Sequence, residues 1–464
     1  MQLQKIQVDY LVDMNELCIM RIFSIFVILL LSFACGTTER GLRNLNLAYV
    51  YQVDGQVVRA DFLIERTSTD SALVHYTFHT DDLLFMREKD GDEHFASVSF
   101  SYRVMTNIKS KLPVDTGNVS VNYITEKGKR VKGQFPISLS GLEEKDDQGI
   151  LVVYTKDNNR NFRMVSFVKI QNTHPEQAQN WRVSNKERLL LKPFVRVGDS
   201  LSFSLRNARD NRYRVDYFKD RFTLALPPFS SKDNIDRNNL LSDSIFDILD
   251  GEVVVFTKPG VYNVRQNSGS EHGVTVYVRD GNFPFVTQKN ELVGPMRYIT
   301  TKREYEQLVA SDDPREIKKA VDRFWLERTR NVDQSKNLIS AFYSRVEKSN
   351  LLFSSYKDGW KTDRGLIFTI FGPPNVVSST DKGERWVYGE ENAHLNYVFD
   401  FVRMDNPLTD NDYELVRDEG YRYGWGLAIE AWRLGQVYNV KDIKREQDER
   451  EQQIRLRQQP YFWY

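Results

Sequence analysis

Residues 358–375 read DGWKTDRGLIFTIFGPPN, and within them the carboxylate of Asp363 stands three positions after the indole of Trp360. An aromatic plate beside an acid is what a sugar site uses, the plate to stack a ring and the acid to bind it or move a proton. Glycoside hydrolysis needs a second carboxylate facing the same bond, and Glu384 and Glu390 are the downstream candidates. The same residue types also build a turn. Gly359 can end a helix in the left-handed conformation, and Trp360 can fold back as an apolar plug with its N–H on a carbonyl. Thr362 and Asp363 can accept backbone amides. Arg364 and Gly365 would then launch a strand, LIFTIF, which Gly372, Pro373 and Pro374 would stop because proline cannot continue a ladder. The turn is the preferred reading, since linear spacing alone does not make the carboxylates converge.

Histidine chemistry has less to build on. His75 and His79 in LVHYTFHT have the i, i+4 spacing that pairs two metal ligands on a helix, but the segment alternates like a strand. On a strand their Cα atoms lie roughly 13 Å apart, too far for one ion that holds nitrogen at about 2 Å. His94, His174, His272 and His394 each stand alone in the sequence and read as surface or hydrogen-bonded polar residues. There is no G-x-S-x-G elbow or HExxH stretch, so no catalytic residue is assigned and neither a metal nor a cofactor is expected.

At 464 residues the chain is long enough for about two to four domains. Its 64 basic and 64 acidic residues cancel, which gives no long-range pull on nucleic acid. Neither a GxxxxGK[ST] loop nor a GxGxxG turn after a strand occurs, so a nucleotide is not expected either. The two cysteines, Cys18 and Cys35, lie near the N-terminus and offer no zinc site or disulfide framework.

From Met20 the sequence runs MRIFSIFVILLLSFAC: a positive residue, an apolar run too short for an ordinary membrane span, and a small residue before a cysteine. This resembles a bacterial lipoprotein signal with SFAC as its lipobox. The resemblance implies cleavage before Cys35, a diacylglycerol on its sulfur and an acyl chain on its new amino group, with several acyl chains giving a strong anchor. Residues 1–34 are then the signal, with Met20 or Met14 as the expected true start, and residues 35–44 a lipidated linker. No aspartate follows Cys35 directly, which by the common rule implies delivery to the outer membrane. Display on the periplasmic face is expected over the cell surface.

The elements that must position the turn are read from periodicity. In ASVSFSYRV, Val98, Phe100, Tyr102 and Val104 alternate with polar residues, giving a strand with one dry face. Similar strands flank KDNNRN and EKGKR, and residues 45–172 read as an antiparallel β-sandwich. The polar stretch 173–190 reads as a connection. A second, smaller sandwich-like domain is expected over 190–287, from DSLSFSL, YRVDYF, VVVFTKPGVYNV and GVTVYVRD. After residue 300 the period becomes helical. Asp312 or Asp313 caps a helix with Pro314 in its first turn, and Ile317, Val321, Phe324 and Trp325 form its apolar face. A second helix carries Leu338, Phe342, Val346 and Phe353. An antiparallel meander follows, so 300–440 reads as an α+β domain and the whole chain as multidomain β plus α+β.

With Gly359, Trp360, Thr362 and Asp363 in place, and FWLERT, DRGLIFTIFGPPN and RWVYG around them, the stretch of roughly 300–405 resembles the GWxTD-domain proteins of bacteria. The resemblance implies an envelope location and a β-rich region ahead of the domain. It assigns no catalytic residue.

The tail, 441–464, mixes both charges with glutamine and ends in Tyr461, Phe462, Trp463 and Tyr464, residue types that anchor interfaces. The expectation is a lipid-anchored, non-catalytic scaffold or accessory subunit of an outer-membrane assembly. Its partners would be other envelope proteins, met through these aromatics. An envelope glycan-binding protein or hydrolase with a cleft near Trp360 and Asp363 is the alternative.

Overall fold

The computed structural model describes residues 46–439 except 53–57, 88–93, 108, 143–147, 161–162, 172–173, 187, 221, 232–240, 267–271, 330, 381 and 390–395; beyond 439 it describes only Asp442, Ile443, Arg445, Glu449 and Gln452. The signal, Cys35 and Tyr461 to Tyr464 lie outside the described residues. A short helix, α1 (Ala48–Tyr51), comes first.

The first sandwich contains β1 (Ala60–Arg66), β2 (Ser71–His79), β3 (Met86–Arg87), β4 (His94–Met105), β5 (Asp115–Ile124), β6 (Arg130–Ser138), β7 (Gln148–Asp157) and β8 (Arg163–Gln171). One sheet has the order β1-β2-β6 and the other β3-β4-β7-β8, with β5 paired to β4. Alternation sets the faces: Val98, Phe100 and Val104 of β4 meet Val74 and Phe78 of β2 in a shared core, while His75, Thr77 and His79 take the opposite face of β2.

The second sandwich starts earlier than its sequence indicates. Residues 173–190 are no bare connection, for they hold β9 (Trp181–Asn185) and β10 (Arg188–Leu189), and Trp181 is buried in the core. Next come β11 (Phe194–Arg196), β12 (Ser200–Leu205), β13 (Arg212–Phe218), β14 (Ser244–Leu249), β15 (Val253–Val255), β16 (Gly260–Gln266) and β17 (Val274–Arg279). The sheets run β10-β9-β12-β15 and β11-β17-β16-β13-β14, and β11 pairs with β17 in parallel.

The C-terminal part has more helix than periodicity alone revealed: α2 (Lys289–Met296), α3 (Lys302–Leu308), α4 (Pro314–Leu326), α5 (Val332–Phe353), α6 (Asp363–Phe371) and α7 (Tyr421–Arg433). Asp313 caps α4 by accepting the Arg315 amide, and Ile317, Val321, Phe324 and Trp325 are buried as their spacing predicts. The meander is antiparallel, with β18 (Val376–Ser379), β19 (Gly383–Tyr388), β20 (Tyr397–Arg403) and β21 (Tyr413–Leu415) in sequence order.

The expected strand LIFTIF is instead helix α6. Every residue from Asp363 to Phe371 is buried, so the run shows neither a strand's two faces nor an amphipathic stripe. Thr362 starts the helix by accepting the Gly365 amide at 3.1 Å, Asp363 sits in its first turn, and Gly372 ends it at φ +83°. One core joins α1, the helices and the meander, and Ile443 of the charged tail is buried in it.

Candidate functional site

The signature turn links the end of α5 to the start of α6. Residues Gly359–Lys361 form a single 3-10 turn, and Gly359 does not take the left-handed conformation expected of it. Its need is for space. A Cβ on Gly359 would overlap the Ser349 carbonyl, and one on Gly365 would overlap the Gly359 carbonyl. These glycines therefore let α5, the turn and α6 pack backbone against backbone.

Trp360 is 8% exposed, with its ring edge-on to Tyr298 at 6.0 Å and against Gly294 of α2. Its amide donates to Asn350 Oδ1 at 3.3 Å and its carbonyl accepts the Tyr298 hydroxyl at 3.1 Å. Thr362 also donates its hydroxyl to the Gly359 carbonyl at 2.7 Å, which closes the turn.

Asp363 is 3% exposed, and both its oxygens are occupied. Oδ2 accepts the Leu415 amide at 2.8 Å and Oδ1 accepts Arg417 at 2.6 Å. Arg417 reaches on to the Leu226 carbonyl at 3.3 Å. Glu384 has a different arginine. It accepts Arg364 at 3.3 Å, the Trp386 indole N–H at 2.9 Å and the Tyr51 hydroxyl at 2.8 Å. Burial works against the Arg364 charge, but Glu384 together with Tyr51 and Tyr413 more than offsets it and the guanidinium pKa is raised. Arg364 also lies 3.7 Å from the Tyr413 ring centroid and donates to Asn411, whose side chain donates to the Ser354 carbonyl at 2.9 Å. Each carboxylate is thus held by its own arginine, and Glu390, the other candidate, lies outside the described residues.

A second charged chain ties the turn to the second sandwich. Lys361 pairs with Asp220 at 2.9 Å and Asp358 at 3.0 Å, and Asp358 pairs with Arg279 at the end of β17 at 2.9 Å. Burial would raise the Asp358 carboxyl, but Arg279 and Lys361 bring its pKa below the usual value. The Ala225 amide donates to the Lys361 carbonyl at 2.9 Å, and Lys357 donates to the Thr223 carbonyl at 3.0 Å. Sequence reasoning missed Arg279, Arg417, Asn411, Tyr298 and Tyr51, whose partners are far away in the chain.

Gly372, Pro373 and Pro374 do stop an element, but it is a helix. The last carbonyls of α6 are buried and need donors. Arg345 donates to the Thr369 and Ile370 carbonyls at 3.4 and 2.9 Å, and the Trp432 indole to Ile370 at 3.0 Å. The Tyr388 hydroxyl donates to the Gly372 carbonyl at 2.8 Å. Burial pushes the Arg345 guanidinium down to about 10.

His75 pairs with Glu65 at 2.6 Å and His79 with Asp81 at 3.1 Å, so the two histidines serve separate acids. His94 is exposed at the start of β4, and His394 lies outside the described residues. His174 and His272, which look isolated in the sequence, meet with ring centroids 4.2 Å apart. Burial and the neighbouring His272 lower the His174 pKa. Among the described residues no three metal-ligating side chains gather.

A β-rich body joined through ion pairs to an α+β domain, with a Gly-Trp-x-Thr-Asp turn at the junction, defines the class. The sequence profile of the GWxTD domain matches residues 260–434, and the chain carries that domain. The match begins at β16, inside the second sandwich, and so includes Arg279, the partner of Asp358. No curated protein matches the chain. Among solved structures, a crystal structure of red sea bream transglutaminase is similar at 12% identity and a TM-score of 0.18, over 48% of this chain and 32% of that one.

Proposed function

We propose that the protein is a lipid-anchored cell-envelope protein, held through Cys35 at the periplasmic face of the outer membrane, and that it is a non-catalytic scaffold or accessory subunit of a larger assembly. The observation that carries this reading is an apolar surface on two successive edge strands. In β14 Ile245, Phe246 and Leu249 are 52%, 36% and 49% exposed, and in β15 Val253 and Val255 are 67% and 55% exposed. Each strand ends its own sheet. Natural edges are usually short, charged or covered, so apolar edges of this kind mark a contact surface.

The lipobox SFAC supports the anchor, and among the described residues no helix is long and apolar enough to cross a membrane. The partners are other envelope proteins, with neither nucleic acid nor nucleotide as ligand, and Tyr461 to Trp463 and Tyr464 are a second candidate contact. A glycan cleft or hydrolase centre at Trp360 and Asp363 gains no support from two side chains so deeply buried and fully engaged.

The test is native co-purification from detergent-solubilised membranes, comparing the full chain, a chain ending at Val440, and an Ile245→Asp, Val253→Asp variant. Partners retained by the full chain and lost from either variant are the expected result. A full chain that fractionates alone would overturn the scaffold reading.

A further inference from the structure

Away from the signature turn, two adjoining hollows of about 390 and 500 Å³ form one open groove between the sandwiches. One side is the outer face of β2 and β6, and the other is the β9–β10 hairpin with the leucines that follow it. Arg130, Lys132, Lys186 and Arg188 line the groove, all four are exposed, and no carboxylate lines it among the described residues. The nearby acids of β1 are already engaged: Glu65 with His75 and Arg182, each at 2.6 Å, and Asp61 with Lys192 at 3.0 Å. In a chain whose charges cancel overall, none of these four cations is ion-paired among the described residues, which do not include Glu187 between Lys186 and Arg188.

The row is placed by the fold. Arg130 and Lys132 stand two apart on one face of β6, about 6.7 Å along the strand. Lys186 is at the hairpin tip with φ +46°, a backbone state that costs a lysine some strain. Leu189, Leu190 and Leu191 add apolar contact beside the charges.

We propose that this groove binds a polyanionic carbohydrate, an extended chain with sulfate, phosphate or carboxylate groups. The cations meet successive anionic groups and the leucines meet the apolar faces of the rings. A nucleic acid would use exposed aromatic plates for its bases, but among the described lining residues Tyr76 is buried and the His75 ring is held by Glu65. An acidic peptide added as a strand would dock along a sheet edge, and although β6 ends its sheet, the groove is lined by the face of β2 and β6, which presents side chains and not backbone donors.

The experiment follows fluorescence anisotropy of a labelled heparin octasaccharide with the full chain. Four engaged cations predict that affinity falls roughly 50-fold between about 50 and 200 mM salt. The variant Arg130→Gln, Lys132→Gln, Lys186→Gln, Arg188→Gln should bind about tenfold or more weakly and lose most of that salt dependence, with an unchanged melting temperature. A control variant, Lys302→Gln, Arg303→Gln, Lys318→Gln, Lys319→Gln, should bind as wild type does. Equal binding by the groove variant, or an equal loss in the control, would overturn the site. Tighter binding of a single-stranded oligonucleotide or an acidic peptide of matched charge would overturn the ligand class.

Discussion

The Tyr51 hydroxyl donates to the Glu384 carboxylate at 2.8 Å across 333 residues of sequence, so the first described helix closes the core of the last domain. The Leu47 amide donates to the Val377 carbonyl at 2.7 Å and the Val377 amide to Asn46 Oδ1 at 3.0 Å, which fixes residues 46–51 along β18. Leu47, Ala48 and Tyr51 are buried there. Replacing Tyr51 by Phe keeps the ring and removes a hydrogen bond to a charged acceptor, which should cost roughly 1.5–3 kcal/mol. Tyr51→Ala also opens a cavity and should cost about 3–5 kcal/mol. Urea unfolding reads both, and an unchanged midpoint for Tyr51→Ala would show that the segment is dispensable.

Glycine substitutions should separate by sign. Gly365→Ala drives a methyl group into the Gly359 carbonyl, a backbone atom that does not yield easily, and should lose about 3 kcal/mol or more. Gly426 is exposed in α7 with open space where a Cβ would go, so Gly426→Ala should gain roughly 0.5–1 kcal/mol from helix propensity. Melting temperatures of the two variants should move in opposite directions.

Acid should loosen the helical platform. Burial would raise the Glu304 carboxyl, but hydrogen bonds from Arg433 and Thr301 outweigh it and bring the pKa to about 2. Glu304 also pairs with Arg328 at 2.5 Å, so one carboxylate joins α3 to the ends of α4 and α7. The unfolded chain takes up the proton first, at an ordinary glutamate value of about 4.3. The stabilisation is therefore complete above that value and fades as pH falls toward 2. Glu304→Gln should lower stability at pH 7 and flatten this part of the profile. A variant with the wild-type acid profile would contradict the assignment.

Much of this architecture was legible locally. Val98, Phe100 and Val104 announced a half-buried strand, and Asp313 with Pro314 announced the start of α4, because each pattern lies within a few residues. Helix α6 was harder, since LIFTIF is buried on every side and an apolar run without a polar face fits strand and helix alike. Its brackets were nonetheless present: Thr362 as cap, Asp363 in the first turn, then Gly372 and Pro373 just past the end. Strands β9 and β10 were hidden by the polar residues around Trp181. The pairs Asp363 with Arg417, Asp358 with Arg279 and Glu384 with Tyr51 join distant segments, and no local spacing encodes them.

The central claim is that the signature aspartate holds the fold together instead of reacting. Urea unfolding of Asp363→Asn beside wild type tests it most directly. The substitution removes the charge that holds buried Arg417, and breaking such a pair should cost about 3–5 kcal/mol, read as an earlier midpoint. A carboxylate kept for chemistry behaves in the opposite way, since active sites are commonly strained and their neutralisation tends to leave stability equal or higher. An Asp363→Asn protein as stable as wild type, or more so, would contradict the account and return Asp363 to the list of reacting groups.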